Sequence, residues 1–248
     1  MRPLLLLVLA LIGLVFVAPA EASILVRFQT ALGDFDVELY DDLAPLTVAN
    51  FLAYTRDGDY DDSIIHRSVP GFVVQGGARR VSGSMLPPIP QRPPVENEFQ
   101  PCDEGCNVRG TIAMAKIDMM PDSATNSWFI NLVDNSGYPD DPNGLDYANE
   151  GFTVFGRVLG DGMDVVDAVA ALPRCGQFPG SCQIIASFPQ LPLRNYAGGS
   201  VTVANLVVVN QVTELPEPGV TTLRAGALAS LLLLARLTAR RRGADPRP

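Results

Sequence analysis

Short apolar runs separated by turn residues fill the middle of this chain, and they limit the folds that it can adopt. Phe35, Val37 and Leu39 alternate with polar residues, which is the period of a half-buried β-strand. The same reasoning predicts a hairpin over residues 23–40 that turns at residues 31–33. It predicts further strands over residues 63–75, with a break at Pro70 and Gly71, and over residues 110–115, 128–133, 152–158 and 201–212.

Helical signals occur in two segments. Pro45 suits a first helical turn and Gly58 suits a C-terminal cap, which predicts one helix between them. A second helix is predicted over residues 162–172. Two helices this far apart do not form alternating β-α units, so we expect a mainly β, antiparallel barrel or sandwich. A closed barrel has no edge strands, which favours a monomer.

The first 22 residues have the features of a secretory signal peptide. Arg2 precedes an apolar run over residues 4–17, and the small-x-small triplets Ala-Pro-Ala and Ala-Glu-Ala follow. We therefore predict export with cleavage near residue 22. The alternative is an uncleaved N-terminal membrane anchor.

The last segment, residues 215–248, contains Pro-Glu-Pro, an apolar stretch and the cluster Arg240, Arg241 and Arg242. Its uninterrupted apolar part, residues 225–235, is short against the ~20 residues that span a bilayer. The order of these parts resembles the PEP-CTERM sorting tail of Gram-negative bacteria. That resemblance implies contact with the inner membrane and processing by an exosortase. A plain anchor, or a tail with no membrane role, are the alternatives.

Between these ends, residues 23–214 are long enough for one domain with a full core. The formal net charge of the chain is −9, and the terminal arginines leave the middle still more acidic. Because such a surface repels phosphate backbones, we predict no nucleic-acid partner.

Four cysteines occur as two local pairs, Cys102 with Cys106 and Cys175 with Cys182. In an exported protein, each pair predicts a disulfide that closes a short loop. Free thiols are one alternative. Zinc is another, although the spacings fit structural zinc poorly, and we predict no metal.

Enzyme signatures of several common kinds are missing. With one histidine and neither H-E-x-x-H nor G-x-S-x-G, the sequence does not support zinc peptidase or serine hydrolase chemistry. The histidine, His66, lies in an apolar run and is interpreted as structural.

That run, IIHRSVPGFVVQGG, places two polar residues, Arg67 and Gln75, in an apolar strand. Period-two alternation places Phe72 and Val74 on one face, with Val73 and Gln75 on the other. A turn at residues 70–71 would bring Arg67 and Gln75 to one surface. The alternative is a surface arginine and an unrelated glutamine at the rim.

Four motifs in order resemble the cyclophilins, the peptidyl-prolyl cis-trans isomerases, and most closely their bacterial periplasmic branch. They are the run above, PVENEF with RGTIAMAK, SATNSWFINLVDN, and FTVFGRVLGDGMDVVDAV. The resemblance covers residues 24–212 and implies a closed, eight-stranded antiparallel barrel capped by two helices. It also implies an enzyme that needs no metal or cofactor.

The resemblance also assigns roles to residues. Arg67 corresponds to the arginine that donates to the prolyl nitrogen of the twisted amide, and Gln75 to the glutamine that orients it. Phe72 and Phe129 correspond to aromatic residues of the catalytic pocket. The substrate-binding set that the resemblance implies is Val73, Met114, Ala115, Lys116, Ser127, Leu145 and Phe152. In this set, the backbone of Ala115 and Lys116 is expected to hold the residue before proline.

This sequence departs from the family at several of these positions. Ser127 replaces a glutamine, Val73 a methionine, and Phe152 a histidine or tyrosine. We therefore expect a prolyl isomerase with changed sequence preference that assists the folding of proline-containing exported proteins in the periplasm or envelope. The alternatives are a tethered, non-catalytic module that binds proline peptides and a structural matrix protein recruited by its tail.

Overall fold

The computed structural model describes residues 23–103, 105–178 and 188–216. The predicted signal peptide, Cys182 and nearly all of the predicted sorting tail lie outside the described residues. None of the helices in these ranges has the length and hydrophobicity that a membrane span needs.

The described residues form one antiparallel sheet and two α-helices. The strands are β1 (Ile24–Thr30), β2 (Gly33–Leu39), β3 (Ser63–Ile64), β4 (Arg67–Val69), β5 (Val73–Gly76), β6 (Thr111–Met114), β7 (Trp128–Asn131), β8 (Val154–Val158) and β9 (Val208–Glu214). The helices are α1 (Pro45–Arg56) and α2 (Gly162–Ala170). Both helices and the β1–β2 hairpin agree with the sequence prediction to within a few residues.

The sheet closes on itself. Its strand order is β3-β9-β1-β2-β8-β6-β7-β5-β4, so its two ends are strands that follow each other in the chain. Backbone hydrogen bonds also join the segment of β3 and β4 to β5 and the residues after it: His66 N–H donates to Gln75 O at 3.1 Å, and Ile64 N–H donates to Arg79 O at 3.0 Å. β3 therefore pairs with β9 on one side and with the residues after β5 on the other. Counted as one broken strand, β3 and β4 complete an eight-stranded barrel, which confirms the predicted mainly β fold.

Strand alternation fills the barrel interior. Aromatic side chains pack against one another there: Phe28 stacks on Phe35 at 4.8 Å and meets the edge of Trp128 at 5.1 Å. Helix α1 closes one side with buried Val48, Phe51 and Leu52. The predicted helix start at Pro45 is confirmed, and Gly58 follows the helix with a φ of +68°, the conformation for which glycine is favoured.

The predicted strand over residues 201–212 is wrong in its first half. Residues 203–205 form a 3-10 turn, in which the Asn205 side chain accepts hydrogen bonds from the backbone and hydroxyl of Thr202. These local bonds compete with strand pairing, so β9 begins only at Val208. β8 likewise begins at Val154 rather than at residue 152.

A second, smaller core lies outside the barrel. It joins Ile64, Leu206 and Val208 to Leu191 and Leu193 of residues 188–194, a segment that we call the strap. The strap is therefore anchored to the barrel by side chains that are fully buried.

One predicted disulfide is present between Cys102 and Cys106. Cys175 is also disulfide-bonded, whereas its predicted partner Cys182 lies outside the described residues. Among the described residues, no cluster of His, Cys, Asp and Glu side chains could hold a metal ion.

Candidate active site

Strand register places one row of residues side by side across four neighbouring strand pairs. Arg67 pairs with Gln75, Gln75 with Phe129, Phe129 with Ala113, and Ala113 with Val154. Directly paired residues point to the same face of a sheet, and this row points out of the barrel. The next row contains Ser68, Val74, Ile130, Ile112 and Gly156, and it faces the interior.

Apolar side chains on this outer surface pack into a cluster, at the place where the family resemblance puts the proline pocket. Val73, Ala113, Phe129 and Leu145 are buried together. Phe72, Ala115, Phe152 and Val154 pack around them. The Phe152 ring meets Phe129 edge to face at 5.8 Å. We call this group of eight residues the outer pocket.

Phe72 contacts the outer pocket for a reason that the sequence pattern did not predict. It was expected to share a face with Val74 and to oppose Val73. It instead lies in the turn before β5, where its N–H donates to Val69 O at 2.9 Å and Gly71 takes a φ of +75°. The turn frees Phe72 from strand alternation, so it packs on the same side as Val73.

The guanidinium of Arg67 lies at the rim of this pocket. Its Nη1 donates to Gln75 Oε1 at 3.3 Å, and its carbon Cζ lies 5.5 Å from the centre of the Phe72 ring. Its Nε donates to Gln190 Oε1 at 2.7 Å. Burial lowers the pKa of Arg67 from its ordinary value, but a guanidinium keeps its charge in proteins. The turn thus brings Arg67 and Gln75 together, as one of the two sequence interpretations predicted.

Met114 was expected to support this pocket, and the structure corrects that prediction. Met114 pairs with Trp128 in the register of β6 and β7, and its side chain is 1% exposed inside the barrel. The residue on β6 that lines the pocket is Ala113. Strand alternation requires this, because adjacent residues point to opposite faces.

A cleft of about 380 Å³ adjoins Gln75 and includes Ala115, Lys116 and Ser127 among its lining residues. Ala115 and Lys116 were predicted to hold the residue before proline through their backbone, and Ser127 was predicted to belong to the substrate-binding set. The Ala115 N–H already donates to Ser127 O at 2.9 Å. A bound peptide would therefore have to use other groups of this cleft.

Lys116 has a second contact set. Its Nζ donates to Asn149 O at 2.7 Å and to Gly151 O at 2.6 Å, and it lies 4.8 Å from the centre of the Phe152 ring. Burial lowers the pKa of Lys116 to about 8. Its side chain thus fixes the loop that carries Phe152.

Leu145 is held in the pocket by backbone bonds on both sides. Its N–H donates to Asn135 O at 2.7 Å, and its carbonyl accepts from Phe152 N–H at 2.8 Å. The adjacent carboxylate, Asp146, accepts from the backbone of Cys106 and Asn107 at 2.6 and 3.0 Å. The pocket wall is therefore attached to the loop that the Cys102–Cys106 disulfide closes.

His66 does not reach the outer pocket. Its ring is buried and meets the edge of Phe188 at 5.9 Å. Burial, with the positive charges of Arg67 and Arg79, lowers its pKa to about 4. His66 is therefore neutral at neutral pH, as expected of a structural residue.

Three residues of the site were not predicted, namely Ala113, Val154 and Gln190. Ala113 could have been found from the alternation that starts at Ile112. Gln190 had no sequence signal, because residues 175–200 show neither periodicity nor a motif.

The outward row of Arg67, Gln75 and Phe129 on a closed antiparallel barrel is the arrangement expected of a cyclophilin. Residues 25–186 match the family model described as cyclophilin type peptidyl-prolyl cis-trans isomerase/CLD. The chain belongs to this family.

Individual relatives agree with that assignment. The chain is 37% identical to a peptidyl-prolyl cis-trans isomerase of Acinetobacter baylyi, over 65% of this chain and 79% of the relative. It is 41% identical to peptidyl-prolyl cis-trans isomerase B of Escherichia coli, over 58% of this chain and 83% of the relative.

Among solved structures, a cyclophilin type peptidyl-prolyl cis-trans isomerase of Cryptosporidium parvum has a similar fold. It superposes with a TM-score of 0.53 at 19% identity, over 79% of this chain and 99% of that one. At this identity the likeness concerns the fold alone.

Proposed function

We propose that this protein is a peptidyl-prolyl cis-trans isomerase that acts on exported proteins, with the Arg67 guanidinium as its catalytic group. Family membership supports the enzyme class. The observation that carries the catalytic assignment is the position of Arg67, whose charged donors stand at the rim of the apolar outer pocket.

The chemistry of the reaction explains why this arrangement suits it. Rotation about an Xaa-Pro bond faces a barrier of ~18–20 kcal/mol, because amide resonance must be broken. In the twisted amide, the prolyl nitrogen regains a lone pair that a fixed donor can bind. A bond made only at this stage stabilises the transition state and not the ground state, and it therefore accelerates rotation.

Each part of the site then has a role in this mechanism. The outer pocket holds the proline ring between Phe129, Leu145 and Val73 and excludes water from it. Arg67 donates to the prolyl nitrogen, and Gln75 orients Arg67 from the neighbouring strand. The reaction forms and breaks no covalent bond, so the mechanism includes no cofactor.

A prolyl-peptide isomerisation assay on the full chain tests this assignment. We expect Arg67→Ala to lower kcat/KM by about 100-fold or more, the loss typical for one donor to a transition-state charge. The matched control is Arg157→Ala, since Arg157 is an exposed strand arginine that pairs with Glu38. A wild-type rate equal to the uncatalysed rate would exclude the enzyme. An active Arg67→Ala variant would exclude the role of Arg67.

A non-catalytic module that binds proline peptides is the second candidate. It is favoured by Ser127, which takes the place of a family glutamine, and by the commitment of the Ala115 N–H to Ser127 O. NMR separates the two candidates: titration of the labelled protein with a proline peptide reports binding, and exchange spectroscopy on the peptide signals reports cis-trans rotation. Binding without exchange between the cis and trans peptide signals would support the module.

The terminal segments carry the proposal of export. Residues 1–22 would direct secretion and be removed, residues 23–214 would form the isomerase domain, and residues 215–248 would sort the protein at the envelope. The support is the sequence pattern of both ends. The substrates would then be proline-containing segments of exported proteins, met by a monomer in the periplasm or at the envelope.

Fractionation of cells tests the terminal proposals. We expect the full chain in the envelope fraction, with an N-terminus near residue 23 by mass spectrometry. The matched variant ends at Leu215, and we expect it in the soluble periplasmic fraction. An identical distribution of both chains would exclude a membrane role for the tail, and an intact N-terminus would exclude the signal peptide.

A further inference from the structure

The guanidinium of Arg67 is held by a residue far away in the sequence. Gln190 Oε1 accepts a hydrogen bond from Arg67 Nε at 2.7 Å, the shorter of the two side-chain bonds that Arg67 makes to glutamines. Gln190 also lies beyond residues 25–186, the part of the chain that the family model matches. The contact therefore comes from a part of this chain that the family pattern does not describe.

The strap presents Gln190 from a fixed backbone. On either side of Gln190, Gly176 N–H donates to Pro189 O at 2.7 Å and Cys175 N–H donates to Leu191 O at 3.0 Å. The Leu191 side chain is fully buried in the second core. The carbonyl of Gln190 itself accepts from Ser68 N–H at 2.8 Å, directly beside Arg67 on β4. This backbone support places the exposed side chain of Gln190 beside Arg67.

We propose that Gln190 is a positioning residue for the isomerase reaction, a role that rests on the proposed catalysis by Arg67. A guanidinium is a rigid planar fork, so two acceptors fix its plane. Gln190 holds Nε and Gln75 holds Nη1. Neither glutamine accepts a hydrogen bond from Nη2, so in the described part of the chain these donors remain for the substrate.

The physical effect of Gln190 is on the reacting geometry rather than on substrate affinity. A flexible arginine must lose side-chain freedom as the transition state forms, whereas a fixed one has lost it during folding. Gln190 is not part of the outer pocket that holds the proline ring. Its removal should therefore lower kcat and leave KM nearly unchanged.

Kinetic measurements on full-length variants test this role. We expect Gln190→Leu, which keeps the size of the side chain but removes the acceptor, to lower kcat about 3- to 10-fold, the size of one ordinary intramolecular hydrogen bond. The matched control is Gln100→Leu, an exposed glutamine outside the site. A Gln190→Leu variant with wild-type kcat, in an active wild-type background, would overturn the positioning role and leave the proposed function intact.

A double-mutant cycle separates positioning from simple stabilisation of the strap. Lysine keeps a positive charge but has no Nε donor. We therefore expect Gln190→Leu to have no further effect on kcat when Arg67 is already replaced in Arg67→Lys. An equal loss in both backgrounds would mean that Gln190 acts through the strap, and it would overturn the proposal.

A spectroscopic measurement tests the contact without reference to catalysis. In the ¹⁵N-labelled protein, the Nε–H signal of Arg67 should be protected from solvent exchange and should lose this protection in Gln190→Leu. An unchanged signal would overturn the contact even if the enzyme is active. Loss of protection together with an inactive wild type would instead contradict the proposed function.

Discussion

The glycine that follows Gln75 illustrates how a single residue positions the site. A Cβ atom on Gly76 would lie 2.7 Å from Cζ2 of Trp128, closer than real Cβ contacts. Gly76 and Trp128 face each other across β5 and β7, and Trp128 is fully buried in the barrel. The large indole ring therefore requires a glycine opposite it, directly after Gln75 on β5.

We predict that Gly76→Ala lowers the free energy of unfolding by about 1–3 kcal/mol, the usual cost of overpacking a core. The clashing atoms, Cζ2 and Cη2, belong to the six-membered ring of Trp128. A phenylalanine ring at position 128 would not reach as far toward Gly76. Gly76→Ala should thus cost clearly less in a Trp128→Phe background. Urea denaturation of the four proteins measures this, and equal costs in both backgrounds would contradict the packing argument.

The site residues divide by whether their placement depends on local pattern or on long-range contact. Arg67 and Gln75 are eight positions apart in one hairpin, so the sequence could bring them together once a turn at Pro70 was assumed. Met114 was misassigned because a family motif does not state which face of the strand a residue occupies. Gln190 reaches Arg67 across 123 positions, and no local pattern encodes such a contact.

At the scale of elements, Asp146 joins two loops. One is the loop closed by the Cys102–Cys106 disulfide, and the other carries Leu145 into the outer pocket. The Asp146 carboxylate accepts from two backbone N–H groups and, at 2.8 Å, from Asn107 Nδ2. Because Asn107 is fully buried, water cannot replace the carboxylate as the hydrogen-bond acceptor for these donors.

We predict that Asp146→Ala lowers the free energy of unfolding by about 1–3 kcal/mol, because it leaves buried donors without an acceptor. It should also weaken binding of a proline peptide, since the Leu145 wall loses its attachment. The matched control is Asp140→Ala, an exposed aspartate of the same loop. Urea denaturation and peptide titration measure the two effects. Unchanged peptide affinity would show that Leu145 is fixed by its own backbone bonds alone.

The elements themselves were predictable to different degrees. The β1–β2 hairpin and both helices were predicted because apolar periodicity and glycine or proline signals agree there. The structure of residues 188–206 was not predicted. In the strap, Leu191 and Leu193 pack in a core whose other members, such as Ile64, are distant in the sequence. The sequence pattern of the strap therefore carries no period of its own.

At the scale of the whole molecule, His66 lies where the barrel meets the strap. It occupies the break between β3 and β4, and its ring contacts Phe188 just before the strap turns toward Gln190. Arg67 and Arg79 are the charged groups that act on it, and both disfavour a second positive charge. Protonation of His66 would thus introduce a buried charge at the junction that closes the barrel.

This position predicts a pH dependence of global stability. The folded pKa of His66 is about 4, below its ordinary value of 6.5, so only the unfolded chain binds the proton between these values. The contribution of neutral His66 to the free energy of unfolding is therefore fully present above pH 6.5 and decreases as the pH falls toward 4. Below pH 4, both the folded and the unfolded chain carry the proton, so His66 causes no further loss. Between pH 7.5 and 5, we expect a loss of about 2 kcal/mol.

His66→Phe provides the comparison, because His66 is the chain's only histidine and its replacement removes the imidazole altogether. Urea denaturation at pH 7.5 and at pH 5 gives the change in unfolding free energy for each protein. Because each protein is compared with itself at the two pH values, any pH-independent effect of the phenylalanine ring on the unfolding free energy cancels. Asp36 and Glu38 have lowered pKa values and lose their contribution only at lower pH. An equal loss in His66→Phe would mean that other groups cause the pH dependence.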